Sequence, residues 1–263
     1  MGEFSEGRLD GGRLYYRKWS GDGQTRGQVV IAHGYAEHSG RYAHVAEALN
    51  RAGLDVWALD HRGHGQSEGE RANIESVWTA VSDLDLLVDE AARGEGPLFL
   101  IGHSMGGFIA AAYAEAHQDR LAGLILSGAL LHIAPELLAL ADLEEIPDLG
   151  LADAVSSDPQ VVQAYKDDPL NYLGPPPRGF LQAAGQVEEV RQRLSDIRLP
   201  VLAMHGSADV LVSPQALRDL VAAVASEDLT AILWPGLWHE IFNEPSRDAV
   251  LDITVRWITA RAA

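Results

Sequence analysis

The chain has 263 residues, 47% of them apolar, no cysteine and a formal net charge of -18 at pH 7. That length is enough for one large core, and the lack of thiols excludes a disulfide framework, thiolate metal sites and a cysteine nucleophile. The charge excludes nucleic acid as a partner, because displacing counterions from a phosphate backbone takes an excess of Lys and Arg.

The opening "MGEFSEGRLDGG" has neither the basic start nor the apolar core of a secretory signal, and no run approaches the roughly eighteen apolar residues of a membrane span. A cytoplasmic chain, at most peripheral to a membrane, is the expectation. Next, "GRLDGGRLYYRKW" predicts a hairpin turning at Asp10, Gly11 and Gly12. Short apolar runs then begin at Val29, Leu54, Leu98, Leu121, Val201 and Thr230, with helical patterns between them. The clearest pattern places Val77, Val81, Leu84, Val88 and Ala91 on one helix face. Strands and helices alternating in this way predict a mostly parallel sheet, eight strands with the hairpin counted, covered by helices on both faces. Such a sheet binds ligands beyond the carboxyl ends of its strands.

The first run is followed by "HGYAEHSGRY" and the second by "DHRGHGQSEG". Asp60 and Arg62 fit an ion pair or a turn framework better than a catalytic role. His33, His38, His61 and His64 cluster in sequence but have neither thiolates nor the H-E-x-x-H frame of a zinc site, so no metal is expected. Ser67 lies in a G-x-S-x-G, yet a loop precedes it and the polar "ERAN" follows. Ser104 lies in another, "GHSMG", with an apolar run directly before it and an alanine-rich helical stretch directly after. A one-residue turn from strand to helix forces a strained backbone, and Gly102 and Gly106 remove the side chains that would collide there. The spacing predicts a nucleophile elbow at Ser104; the alternative is a helix N-cap.

From about Ile133 to Gln182 the alternation stops, and the chain is rich in leucine, proline and aspartate, with 9 acidic and 2 basic residues. This is too long for an ordinary connection, so a cap inserted over the site is expected at 133-182, with 1-132 and 183-263 as the core. Beyond it, "VLAMHGSADVLVSP" offers Asp209 and "ILWPGLWHEIFNEP" offers His239, each after its own run. A serine hydroxyl needs a base to take its proton and an acid to orient that base, in the chain order Ser, Asp, His on this kind of sheet. Backbone N-H groups of Tyr35 and Met105 are the expected donors to the oxyanion of a tetrahedral intermediate.

With these motifs in place, the sequence resembles the monoacylglycerol lipase and lysophospholipase branch of the serine α/β-hydrolases, through "HGYAEHSGRY", "DHRGHGQSEGER", "GHSMGG", "DPQVVQAYKDDPL", "HGSADVLVSP" and "WHEIFNEP". The resemblance implies an α/β-hydrolase fold, the triad Ser104, Asp209 and His239, the oxyanion donors Tyr35 and Met105, and a lid over an acyl-chain tunnel. It implies a small lipid ester as substrate; nothing in the sequence calls for a cofactor, and Leu137, Leu138 and Leu140, spaced for one helix face in the acidic cap, predict transient apolar contact with a lipid surface. It also implies that Glu37 and Arg41 shape the polar end of the pocket and that Tyr165 reaches the glycerol. Glu37 and Arg41 equally fit an i,i+4 pair, and Tyr165 a residue packing the cap. Animal members of that branch carry a second histidine three residues past the catalytic one, where this chain has Phe242. The activity implied is hydrolysis of monoacylglycerol through an acyl-enzyme, with general carboxylesterase or lysophospholipase activity, or a catalytically dead binding protein, as alternatives.

Overall fold

Every apolar run forms a strand in the computed structural model, which describes residues 3-21 and 23-262. The predicted hairpin supplies β1 (Phe4–Leu9) and β2 (Leu14–Trp19) around a turn where Asp10, Gly11 and Gly12 all have positive φ. There follow β3 (Gly27–Ala32), β4 (Leu54–Leu59), β5 (Leu98–His103), β6 (Gly123–Ser127), β7 (Val201–Gly206) and β8 (Leu229–Trp234). They make an eight-stranded sheet in the order β1-β2-β4-β3-β5-β6-β7-β8. β2 pairs antiparallel with β1 and β4; all the other pairs are parallel.

Helices cover both faces, which is why the central strands read as continuous apolar runs rather than alternating ones. Val30, Leu100 and Leu124 face the side held by α2 (Val77–Ala91) and α3 (Met105–His117). Val29, Ile31, Phe99 and Ile101 face α1 (Ala43–Arg51) and α9 (Arg247–Thr259). The five residues read as one face of α2 are all buried, none more than 5% exposed. The Ser76 hydroxyl accepts the Trp78 N-H at 3.2 Å and so fixes where that helix starts.

Between Ser127 and Val201 the described chain forms no strand. It forms α4 (Pro135–Leu138), α5 (Pro159–Asp167), α6 (Arg178–Ala184) and α7 (Val187–Arg193), joined by 3-10 turns. Pro135 and Pro159 open their helices, where the missing N-H costs nothing, and the Asp158 carboxylate caps α5 by accepting the Gln160 N-H at 2.9 Å. α6 runs unbroken through residue 182, and its Phe180, Leu181 and Ala183 pack into the core on the α2 and α3 side. α8 (Gln215–Ala223) then carries the chain from β7 to β8. The loops leaving β3, β5, β6, β7 and β8 therefore all open at one rim of the sheet, beneath this strandless segment.

Candidate active site

β5 ends at His103 and α3 starts at Met105, so Ser104 alone makes the turn, with φ 52° and ψ -118°. The two neighbouring glycines are required by contact: a Cβ on Gly102 would strike the Gly106 carbonyl, and one on Gly106 the carbonyls of Ala32 and His33. Backbone strain of this kind costs about 1–3 kcal/mol and survives only where the surroundings over-determine it. Here the Ser104 N-H donates to the Ser127 carbonyl at 3.0 Å, and the Ser104 carbonyl accepts from Phe108 and Leu130 at 3.1 and 2.9 Å. Ser67 differs: its hydroxyl accepts the Tyr15 N-H at 2.9 Å and donates to the Asp60 carbonyl, which holds a turn together.

Asp209 and His239 meet across the ends of β7 and β8. Asp209 Oδ1 accepts the N-H groups of Leu211 and Val212, each at 2.9 Å, and Oδ2 lies 2.7 Å from His239 Nδ1 and 3.0 Å from His205 Nε2. Burial pushes the Asp209 pKa up, but the charge on His239 and the hydrogen bonds from His205 and His239 outweigh it and hold the carboxyl well below its usual range. Burial alone would lower the His239 pKa; the Asp209 carboxylate reverses this, and the net direction is upward. Ser104 and His239 line the same cleft of about 750 Å³, open to solvent. The hydroxyl and the imidazole are not hydrogen-bonded to each other, a contact that commonly tightens only when substrate is bound.

At the other side of Ser104 the Gly34 N-H is taken by Glu37 Oε1 at 2.7 Å, while the Tyr35 N-H has no partner among the described residues. The Met105 N-H, first in α3, has no carbonyl a turn behind it to bond. A Cβ on Gly34 would sit 3.3 Å from that of Ser104, so glycine there lets the loop close over the hydroxyl. The His103 ring lies tilted beside that of His239, with centroids 4.8 Å apart; burial, then the His239 charge, depress its pKa to about 3, so it is neutral.

Arg41 bonds Glu37 Oε2 at 2.5 Å and both carboxylate oxygens of Glu240 at 2.6 and 2.7 Å, and its guanidinium lies 4.6 Å over the Tyr165 ring. Glu37, Tyr165 and Glu240 line the cleft. Tyr165 spends its hydroxyl hydrogen on the Ala36 carbonyl, at 3.0 Å. Sequence reasoning did not single out Glu240, His205 or His103: Glu240 meets Arg41 199 positions away and His103 meets Ser127 on the neighbouring strand, while His205 lies only four residues before Asp209, in a strand whose residues all read as core. Asp60 and Arg62 do not pair with each other: Asp60 accepts from the N-H groups of Ser39 and Gln66, and Arg62 bonds Asp83. The His33 and His61 rings lie 4.5 Å apart, and His33 Nε2 accepts the His61 N-H. Phe242 is packed in the core against the α1 and α9 side, outside the cleft.

A family profile, Hydrolase_4, described as serine aminopeptidase S33, matches residues 23-246. The chain belongs to this family. Relatives of this Hydrolase_4 chain include the monoacylglycerol lipase of Mycolicibacterium smegmatis, 42% identical over 98% of this chain and 97% of that protein. The monoglyceride lipase of Homo sapiens is 32% identical over 97% of this chain and 89% of its own length. Among solved structures, that of the Paleococcus ferrophilus monoacylglycerol lipase superposes with a TM-score of 0.83 at 31% identity, covering 94% of this chain and 99% of the other. The α/β-hydrolase fold expected from the sequence is thus the fold of this Hydrolase_4 member.

Proposed function

We propose that this chain is a carboxylic ester hydrolase that cleaves monoacylglycerol to glycerol and a fatty acid. The observation that carries the reading is the strained Ser104 sharing one apolar-walled cleft with the His239–Asp209 pair. The reading is further supported by full-length relatives named monoacylglycerol lipase and monoglyceride lipase.

In this mechanism His239 Nε2 takes the Ser104 proton as Oγ attacks the ester carbonyl, and the Tyr35 and Met105 N-H groups receive the oxyanion. Collapse expels glycerol with a proton from His239, leaving an acyl-enzyme that water, activated by the same imidazole, releases as fatty acid. Asp209 keeps the tautomer with its proton on Nδ1 and stabilises the imidazolium. Residues 133-182 act as the cap, and Leu137, Leu149, Val155 and Phe180 from it wall the acyl end of the cleft. At about 0.8 kcal/mol per buried methylene, against about 1 net for each hydrogen bond to glycerol, affinity follows acyl length, and head-group preference rests on few polar contacts.

Purified protein assayed on monoacylglycerols, lysophospholipids and p-nitrophenyl esters, alongside fluorophosphonate labelling, tests this. Ser104→Ala and His239→Ala are expected to lower kcat about a million-fold and Asp209→Asn about ten-thousand-fold. A folded Ser104→Ala variant within a few fold of the parent rate would rule the assignment out.

A further inference from the structure

The loop carrying the Tyr35 amide is clamped from two directions. From the core, Glu37 Oε1 accepts the Gly34 N-H and the Tyr42 hydroxyl, both at 2.7 Å. From the strandless segment, the Ala36 carbonyl receives the Tyr165 hydroxyl at 3.0 Å and the Tyr172 N-H at 2.9 Å. On the same side the Phe180 ring stacks on that of Tyr35, with centroids 3.8 Å apart and planes at 22°. Ala36 itself has φ 62°, a left-handed conformation that costs a residue with a Cβ roughly 1–2 kcal/mol. A turn under that strain relaxes unless its polar groups are held, and two donors on one carbonyl hold it.

We infer that Tyr165 is a positioning residue for the oxyanion site: by holding the Ala36 carbonyl it keeps the Tyr35 N-H directed at the space over Ser104. The cap then completes the reaction machinery as well as enclosing the acyl chain. This rests on the proposed reading of Ser104 as nucleophile and the Tyr35 N-H as oxyanion donor. Tyr165 is built for a fixed role. It is 5% exposed, its ring lies against Arg41, and its own carbonyl accepts Asn171 Nδ2 at 2.9 Å. A phenol has one hydrogen to donate, and Ala36 receives it. Support lost from an oxyanion donor weakens the transition state and leaves ground-state binding alone, so the signature is in kcat.

Tyr165→Phe keeps the ring and its contact with Arg41 and deletes only the hydroxyl. The full chain and this variant are compared on a 1-monoacylglycerol and on a p-nitrophenyl ester of the same acyl chain, which has no glycerol. They are also compared for inhibition by an acyl trifluoromethyl ketone. Ser104 Oγ adds to that ketone's carbonyl carbon, its π electrons pass to the oxygen, and the serine proton passes to His239, so the adduct carries the oxyanion without a leaving group. The expected result is a kcat about tenfold lower on both esters, KM little changed, and ketone affinity reduced by a similar factor, a fraction of the roughly 100-fold or greater loss on deleting a donor outright. A loss confined to monoacylglycerol, as a glycerol contact would give, overturns the inference, and so does an unchanged kcat on both esters with unchanged ketone inhibition. Parent protein that cleaves neither ester and takes no fluorophosphonate at Ser104 overturns the hydrolase reading itself, which separates that failure from failure of the positioning role.

Discussion

His239 titrates in two opposed fields, burial favouring the neutral ring and Asp209 the charged one, and Asp209 prevails. In the proposed mechanism His239 is the base and works only when neutral, so activity is expected to fall on acidification. The acid limb of kcat/KM is expected to have its midpoint above the ordinary histidine value of about 6.5, and Asp209→Asn to move it lower; a pH-rate profile of both proteins reads this directly. Glu115 makes a second titration visible. Its carboxyl is buried in α3 with no hydrogen-bond partner among the described residues, 3.8 Å from Arg193, and burial, opposed by Arg193, raises its pKa to about 8. The folded chain thus holds a proton that the unfolded chain releases near pH 4.5. Stability is fully present below that value and is lost as pH rises toward 8, by up to about 1.4 kcal/mol per pH unit. Glu115→Gln is expected to flatten the fall of Tm between about pH 5 and 8. At this scale Ser104, Asp209 and His239 stood out as candidates because motif and chain order constrain them, whereas Glu240 did not: its bond to Arg41 spans 199 positions and has no local pattern.

The strands were the most readable elements, since a parallel strand buried on both faces is a bare apolar run, and α2 was equally plain from its period. The segment between β6 and β7 was readable only as an interruption. Its α4 and α6 are 4 and 7 residues long, too short to show a helical repeat, and Phe180 and Tyr165 are placed by what they touch in the loop after β3. The loops after β3 and β4 carry a liability of their own. His33, His61 and His64 are buried against one another, and burial, then mutual repulsion for His33 and His61, depresses them all, His61 to about 3 and His64 to about 4. In the unfolded chain they take protons below about pH 6.5 and in the folded one they refuse, so stability present above that pH is lost as it falls toward 4. His61→Leu, at a ring whose two nitrogens find no partner among the described residues, is expected to make the unfolding free energy less steep by about one proton between pH 6 and 4.5, measured by denaturant titration. An unaltered slope would show that His61 is not among the groups responsible.

Across the whole molecule the excess of 38 acidic over 20 basic side chains disfavours attraction to an anionic membrane, and no described helix is long and apolar enough to cross one. Association with lipid is therefore expected to be apolar, through exposed residues of the segment between β6 and β7 such as Leu143 and Leu173. Vesicle co-sedimentation is expected to be unaffected or strengthened by raising salt from about 0.1 to 0.5 M; release by salt would point to basic contacts instead. The double capture of the Ala36 carbonyl has a consequence for anyone recombining these proteins. Because residues 165 and 172 both lie in the one connection between β6 and β7, a chimera that exchanges this connection also exchanges two of the struts beneath the proposed oxyanion site. On the proposed mechanism, grafts that restore a hydroxyl and an amide at those points should stay fast, and grafts chosen only for the shape of the cleft should bind well and turn over slowly.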